Sequence, residues 1–342
     1  MKTKKNSKLT ICGTNIHPGE VVNLALPLPE RYSCSPLFMP IKVIHGPKEG
    51  PVLVVFSGLK GSELNGLEIA NRLVADLNVD EIGGTIIAIP VLNVLGLTHY
   101  PSPLPIGQDL GKCFPGNDEG SYGERIAKIV TDEILKKADY CIELQTGGLN
   151  HNILPQVYCD FNNKKEKNLA KLFKTPVITN FPEKENRLRE TIRDLNVKFF
   201  MYLAGEAMRF DENVIHLGIE GVKNIMRSID MLTKEPVQET TPIFSRDEDW
   251  IIAHKGGILN TDVSLGQTIK VGEIIGKISD PFGADQCEYI KSPQKGVVVG
   301  VNTSPLIHEG LPIFNIASFI DDDKAETVIE EWDKKQPDSY IS

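Results

Sequence analysis

The feature that most constrains the fold is a regular exchange between short β-branched runs and helical stripes. Val52–Ser57 is apolar and β-branched and ends at Gly58. Behind a polar turn, Leu64, Leu67, Ala70, Leu73, Val74 and Leu77 recur at spacings of three and four, which sets them on one face of a helix over 63–77. Thr85–Val91 reads as strand again, and 121–137 repeats the stripe at Ile126, Ile129, Val130, Ile134 and Leu135, with Ser121 and Glu124 spaced as a capping box. Strand character returns at 139–144, 176–179 and 198–203, between helices expected over 164–173, 185–195 and 211–232. Strands separated by helices pair through crossovers, so the expected fold class is α/β, with a mostly parallel mixed sheet covered on both faces.

Between Val91 and Gly120 the chain is rich in Pro, Gly and Asn and has no clear period, which in a compact domain marks a site loop. After Thr240 the texture changes to short β-type runs punctuated by glycines such as Gly256, Gly266, Gly276 and Gly296. This predicts a main domain over 1–239, a small all-β domain over 240–320, and a charged, peripheral tail over 321–342.

Composition narrows the function classes. The 37 basic residues against 46 acidic ones leave a net charge of −9, so no whole-molecule field draws in nucleic acid or an anionic membrane. The longest apolar runs are broken well short of a membrane span, and the basic 1–8 segment is not followed by the apolar stretch of a secretory signal. The expected compartment is cytoplasmic. Cys12, Cys34, Cys113, Cys141, Cys159 and Cys287 lie far apart without a CxxC, which suits reduced structural thiols.

Four ordered segments carry a resemblance. Ser57-Gly58-Leu59-Lys60-Gly61-Ser62-Glu63-Leu64-Asn65-Gly66 is similar to a G-x-H-G-D-E-x-N-G strand-to-helix turn, and Asp109-Leu110-Gly111-Lys112-Cys113-Phe114-Pro115-Gly116 to D-L-N-R-x-F-P-G. Ile142-Glu143-Leu144-Gln145-Thr146-Gly147, followed by Leu154-Pro155-Gln156, is similar to I-D-L-H-T-G and L-P-Q-I-R. Tyr202-Leu203-Ala204-Gly205-Glu206-Ala207-Met208-Arg209-Phe210 is similar to Y-E-A-G-E-A-x-R-F. The chain thus resembles the succinylglutamate desuccinylase and aspartoacylase family of zinc carboxypeptidase-like hydrolases. The resemblance implies a zinc carboxypeptidase-like α/β/α sandwich with a small C-terminal β domain. It also implies one zinc ion held by two His and a Glu, a Glu general base on the zinc-bound water, and an Asn-Arg pair gripping a substrate carboxylate.

Carried over position by position, the metal ligands become Lys60, Glu63 and Gln145, and only Glu63 is retained. The general-base position is Leu203, the Asn-Arg pair is Gly111-Lys112, and the Arg after L-P-Q-I is Tyr158. An ammonium must lose its proton before it binds metal, and Gln offers a weak neutral oxygen. The reading is therefore a degenerate member, a pseudoenzyme with no catalytic residue and no metal or cofactor expected, Lys60 standing in for the metal's charge beside Glu63. It keeps a pocket of Lys60, Glu63, Asp109, Lys112, Gln145, His151, Gln156 and Tyr158 for a small anionic or amide-bearing ligand, or pairs with an active relative or a second copy.

The rival reading is a zinc-dependent amidohydrolase or carboxypeptidase with rearranged ligands and His151 or Glu206 as base. A metal-free enzyme with Lys60 as base or Schiff-base nucleophile is a third. Simpler readings stand beside these. Lys60 and Glu63 are spaced as a helix-start ion pair, His151 as a solvated loop histidine, and His99 and His216 as structural or exposed side chains. Glu220 reads as a helix-surface charge and Lys295 as an ordinary turn lysine.

Overall fold

The computed structural model describes residues 6–30, 36–98, 104, 108–181, 187–235, 241–245, 247–283, 287–319, 321–336 and 340. A small hairpin of β1 (Leu9–Ile11) and β2 (Thr14–Ile16) leads into β3 (Glu20–Pro27), β4 (Phe38–His45) and β5 (Lys48–Ser57). Then come α1 (Leu64–Asp76), β6 (Gly83–Ile89), the short α2 (Val94–Thr98), α3 (Tyr122–Glu133), β7 (Tyr140–Gln145) and β8 (His151–Cys159). They are followed by α4 (Lys164–Ala170), β9 (Val177–Asn180), α5 (Arg187–Asp194), β10 (Lys198–Gly205) and α6 (Glu212–Ser228). The C-terminal part holds β11 (Ile243–Ser245), β12 (Asp247–Ile252), β13 (Gly257–Asn260), β14 (Thr268–Ile269) and β15 (Ile274–Ser279). It continues with β16 (Cys287–Lys291), β17 (Gly296–Asn302), β18 (Leu306–Ile307), β19 (Pro312–Ser318) and α7 (Asp322–Asp333).

The strand and helix expectations from Val52 onward match these elements to within a few residues. The capping box is present, with the Ser121 hydroxyl accepting from the Glu124 N–H and the Glu124 carboxylate accepting from the Ser121 N–H. Helix α6 starts on Asp211, whose carboxylate accepts from the N–H groups of Asn213 and Val214.

The main sheet runs β12-β19-β17-β8-β10-β7-β5-β6-β4-β3, with β9, β11 and β14 attached at its sides. Parallel pairing is confined to the β6-β5-β7-β10 core and the β8-β9-β11 branch. The sheet is mixed, as expected: β4 joins β6, and β8 joins β10, in antiparallel register. Strand β8 follows β7 through a tight connection in which the His151 N–H donates to the Gly148 carbonyl, too short for a crossover, so it returns antiparallel.

Both sheet faces are buried. Ile142, Leu144, Phe200 and Tyr202 pack with Ile69 and Leu73 of α1 and with α6. Cys141, Phe199 and Met201 pack on the opposite face with Ile126 and Val130 of α3 and with Leu188 and Ile192 of α5. A third apolar cluster fills the C-terminal part.

Within 240–320, β13, β15, β16 and β18 form a four-stranded antiparallel sheet of their own, while β17 pairs with β8 and extends the central sheet. In the C-terminal segment, α7 buries Ala325, Ile329 and Trp332, and the Trp332 indole donates to the Lys174 carbonyl at 2.9 Å. His99 and Cys34 lie outside the described residues; Cys12, Cys113, Cys141, Cys159 and Cys287 are free thiols. Among the described residues no helix is long and apolar enough to cross a membrane.

Candidate functional site

Strands β5, β7 and β10 run parallel, so their carboxyl ends, at Ser57, Gln145 and Gly205, reach one edge of the sheet, where open α/β folds bind ligands. The turn after β5 is shaped by glycine. Gly61 has φ of +83°, and a Cβ there would lie 2.1 Å from the Gly96 carbonyl carbon; a Cβ on Gly66 would lie 2.2 Å from the Ser57 hydroxyl. Any side chain at either position would push the turn off α2 or lift α1 from the sheet.

This turn delivers Glu63 into the interior at 3% exposure. Its two carboxylate oxygens accept from the Lys60 backbone N–H at 3.2 and 3.4 Å. The Lys60 side chain is exposed and forms no ion pair with Glu63, so the expected pairing is a backbone contact supplemented by the ammonium's field. Burial pushes the Glu63 carboxyl above the usual range, the Lys60 charge opposes that, and Glu143 adds to it.

The floor of the site is two rows across three strands. Register places Gln145 beside Leu203 and Leu203 beside Gln156; one step down, Glu143 lies beside Met201 and Met201 beside Tyr158. Registered neighbours share a face, here the one covered by α3 and α5. The Gln145 amide donates to the Glu143 carboxylate. Glu143 is fully buried, and its other oxygen has no hydrogen-bond partner. Burial raises its carboxyl above the usual range against the lowering fields of Arg189 and Lys60 and the hydrogen bond from Gln145.

Arg189, on α5, lies over the Phe181 ring at 4.7 Å and donates to the Met201 sulfur at 3.0 Å. Its charge reaches both Glu143 and Tyr158. Gln156 is fully buried and accepts from the Thr179 hydroxyl at 2.8 Å. The Tyr158 hydroxyl donates to Glu248 of β12; burial and the Glu248 charge push that phenol well above its usual range.

The structure therefore brings Gln145, Gln156 and Tyr158 to one face, with Glu63 at the strand edge and Lys60 and Asp109 close enough to act on the buried carboxylates. Asp109 and Lys112 are exposed, and the Asp109 carboxylate caps its own turn by accepting from the Gly111 N–H at 2.9 Å. His151 is the first residue of β8 rather than a loop residue, and its Nε2 lies 3.2 Å from the Pro312 carbonyl. Its ring packs edge-on against Trp250, so it belongs to the seam with the C-terminal strands and makes no hydrogen bond to Glu63 or Gln145. Glu206 is also at that seam, held by Thr303 at 3.1 Å and Arg209 at 3.3 Å.

His216 is exposed on α6, Glu220 lies near Lys223 and Arg227, and Lys295 pairs with Asp322 and Asp323. Three residues were missing from the sequence reading. Glu143 was legible, since it lies two before Gln145 in a strand; Arg189 and Glu248 carry no local signal.

The same architecture recurs in solved structures. A succinylglutamate desuccinylase/aspartoacylase from Rhodobacter sphaeroides superposes with a TM-score of 0.79 at 17% identity, covering 87% of this chain and 96% of that one. An aspartoacylase family protein from Mesorhizobium loti gives 0.74 at 22% identity, with 89% and 96% covered. The product-bound ectoine utilization protein EutE (DoeB) of Ruegeria pomeroyi gives 0.79 at 17%, with 87% and 94% covered. These likenesses define a zinc-peptidase-like α/β fold.

The sequence is more specific. Residues 49–229 match the succinylglutamate desuccinylase/aspartoacylase catalytic domain, and the chain belongs to that family, whose members are N-acyl amino acid deacylases. A curated relative, N-alpha-acetyl-L-2,4-diaminobutyric acid deacetylase of Halomonas elongata, is 24% identical over 288 residues, covering 80% of this chain and 84% of that protein.

Proposed function

We propose that this chain is a non-catalytic, ligand-binding member of the deacylase family, which retains the fold and pocket and does not run metal-dependent amide hydrolysis. The observation that carries the reading is the donor set. Of the three positions that the family resemblance assigns to zinc, one holds a carboxylate already engaged by the Lys60 N–H, one an exposed ammonium and one an amide bonded to Glu143. Zinc sites take thiolate, imidazole or carboxylate donors, and among the described residues no group of three or more His, Cys, Asp or Glu is placed to hold a metal. These residues do not fit zinc. At the base position Leu203 has no proton to move, and the neighbouring Met201 has none either.

The ligand class follows the family: a small molecule with an acylated amino acid or related amide, bound at the strand ends beside Glu63, Gln145 and Gln156. The expected compartment remains the cytoplasm.

The test is metal content by mass spectrometry, without chelator and after zinc dialysis, for the natural chain and for Lys60→His/Gln145→His/Leu203→Glu. The expected result is less than about a tenth of an equivalent in the natural chain and about one in the triple variant, the latter a stoichiometric site. Stoichiometric zinc in the natural chain, with release of acetate from Nα-acetyl-L-2,4-diaminobutyrate, overturns the reading in favour of a deacylase with rearranged ligands.

A further inference from the structure

The small antiparallel sheet, in the order β16-β15-β13-β18, has two unlike faces. Residues paired in register share a face. Leu259 and Ile278 are such a pair, buried with Ile290 in the C-terminal apolar cluster. One step along, Asn260 lies beside Lys277 and Lys277 beside Tyr289. An amide, an ammonium and a phenol thus form a row on the opposite face.

This row lines a cavity of about 750 Å³, walled by the β13–β14 loop at Asp262 and by the β17–β18 turn at Thr303. Pockets of roughly 300–1,000 Å³ hold whole organic ligands, and an ion needs far less. The Thr303 wall is anchored to the main domain: its hydroxyl donates to Glu206 at 3.1 Å, and its N–H donates to the Asn150 carbonyl at 2.7 Å. Neither Glu63 nor Gln145 lines the cavity.

The cavity carries charge of both signs, and the two are not spent on each other. The half-buried Lys277 ammonium lies over the Tyr289 ring at 5.9 Å and makes no ion pair among the described residues. The Asp262 carboxylate has neither a hydrogen bond nor an ion pair among them. Glu273, the other acid in the lining, is tied to its own turn by the Lys270 N–H at 2.8 Å. Apolar surface is open beside these charges, with Ile274 56% and Tyr289 53% exposed.

The combination discriminates between ligand classes. A simple anion would meet Asp262 and Glu273, and a simple cation would meet Lys277. A neutral molecule would strip water from both charges and pair neither, which costs free energy. A ligand with one charge of each sign and an apolar side chain between them uses every group.

We infer that this cavity binds a short zwitterionic peptide, with its C-terminal carboxylate on Lys277 and Asn260, its N-terminal ammonium on Asp262, and an apolar side chain against Tyr289 and Ile274. The inference concerns a second site and does not rest on the reading of the strand tips. Binding is non-covalent, through hydrogen bonds between charged partners, the stronger kind.

The experiment is isothermal titration calorimetry on the full chain with the tripeptide alanyl-leucyl-phenylalanine, its C-terminal amide and its N-acetyl form. The free tripeptide is expected to bind, and each capped form to bind roughly threefold or more weakly, the scale of one ion pair near the surface. Lys277→Met is expected to lose the discrimination against the amide and keep that against the N-acetyl form; Asp262→Asn is expected to do the reverse. Tyr289→Ala is expected to weaken all three peptides by a common factor, since it removes the apolar platform and neither charge.

Circular dichroism checks that each variant is folded, and the capped peptides test both charges in the natural chain without any substitution. No binding of the free tripeptide at millimolar concentration overturns the inference, as do equal affinities for the three forms. So does a discrimination that survives in its matching folded variant, because the peptide is then held elsewhere on the molecule.

Discussion

Strands β7 and β10 lie side by side in parallel register and end at the same edge, yet their inner faces differ. Strand β7 presents Glu143 and Gln145 to the face on which β10 presents Met201 and Leu203. Their outer faces agree: Ile142 and Leu144 on one, Phe200 and Tyr202 on the other, all within one apolar cluster. The pairing and the outer packing fix where the backbone runs, and neither depends on the inner side chains near the edge. A fold can therefore keep its strands in place while the groups at their tips change, because sheet stability is set mainly by the buried face and the ladder.

The sharpest way to break this comparison is to truncate one residue on each face of β10. Phe200→Ala, at a position with no exposure, is expected to destabilise by about 3–5 kcal/mol, through lost burial and the cavity left behind. Leu203→Ala, at the half-buried tip, is expected to cost about 1 kcal/mol, since less area returns to water. Urea denaturation of both variants checks the ordering. Equal losses would mean that the tip supports the fold as much as the outer face does.

A second comparison uses pH. The Glu143 carboxyl is raised by burial, so the folded state holds its proton above the pH at which the unfolded chain releases it. Stability from this group is then highest in acid and falls as pH rises from the ordinary glutamate range through the raised folded value. Glu166, away from the strand tips on α4, is raised by burial to about 7 and sets a definite window: its contribution declines between the ordinary glutamate range and about 7.

Denaturation midpoints from pH 5 to 8 are expected to fall less steeply in Glu143→Gln and in Glu166→Gln than in the natural chain. An unchanged slope in Glu143→Gln would place a permanent counter-charge beside that carboxylate.

The smallest effect concerns the scaffold alone. Ser121→Ala removes one half of the α3 capping box and is expected to cost about 1 kcal/mol by denaturant melt.

How much was legible follows from the range of each interaction. The helices over 64–76, 122–133 and 212–228 and the core strands were readable because apolar periodicity is local, and so was the capping box, which spans only Ser121 to Glu124. Strands β3 and β4 were missed, since each of them pairs antiparallel and part-exposed and gives a weaker pattern. The site was legible where a motif is contiguous, as at Lys60 to Glu63 and Glu143 to Gln145. His151 was misjudged because its direction depends on Trp250 and Pro312, distant in sequence.

The sequence by itself determined the class of this protein: the alternation of strand and helix, the family of its motifs, and the residue types at the positions that the family resemblance assigns to metal and base. Only the tertiary structure decided which charges meet. Register brought Gln145, Leu203 and Gln156 into one row, α5 laid Arg189 beside Glu143, and β12 carried Glu248 to Tyr158 across 90 residues of chain. The reason is physical. Secondary structure follows from the period of neighbouring side chains, whereas the field inside a pocket sums groups from every element that closes around it, and their burial sets how strongly they act.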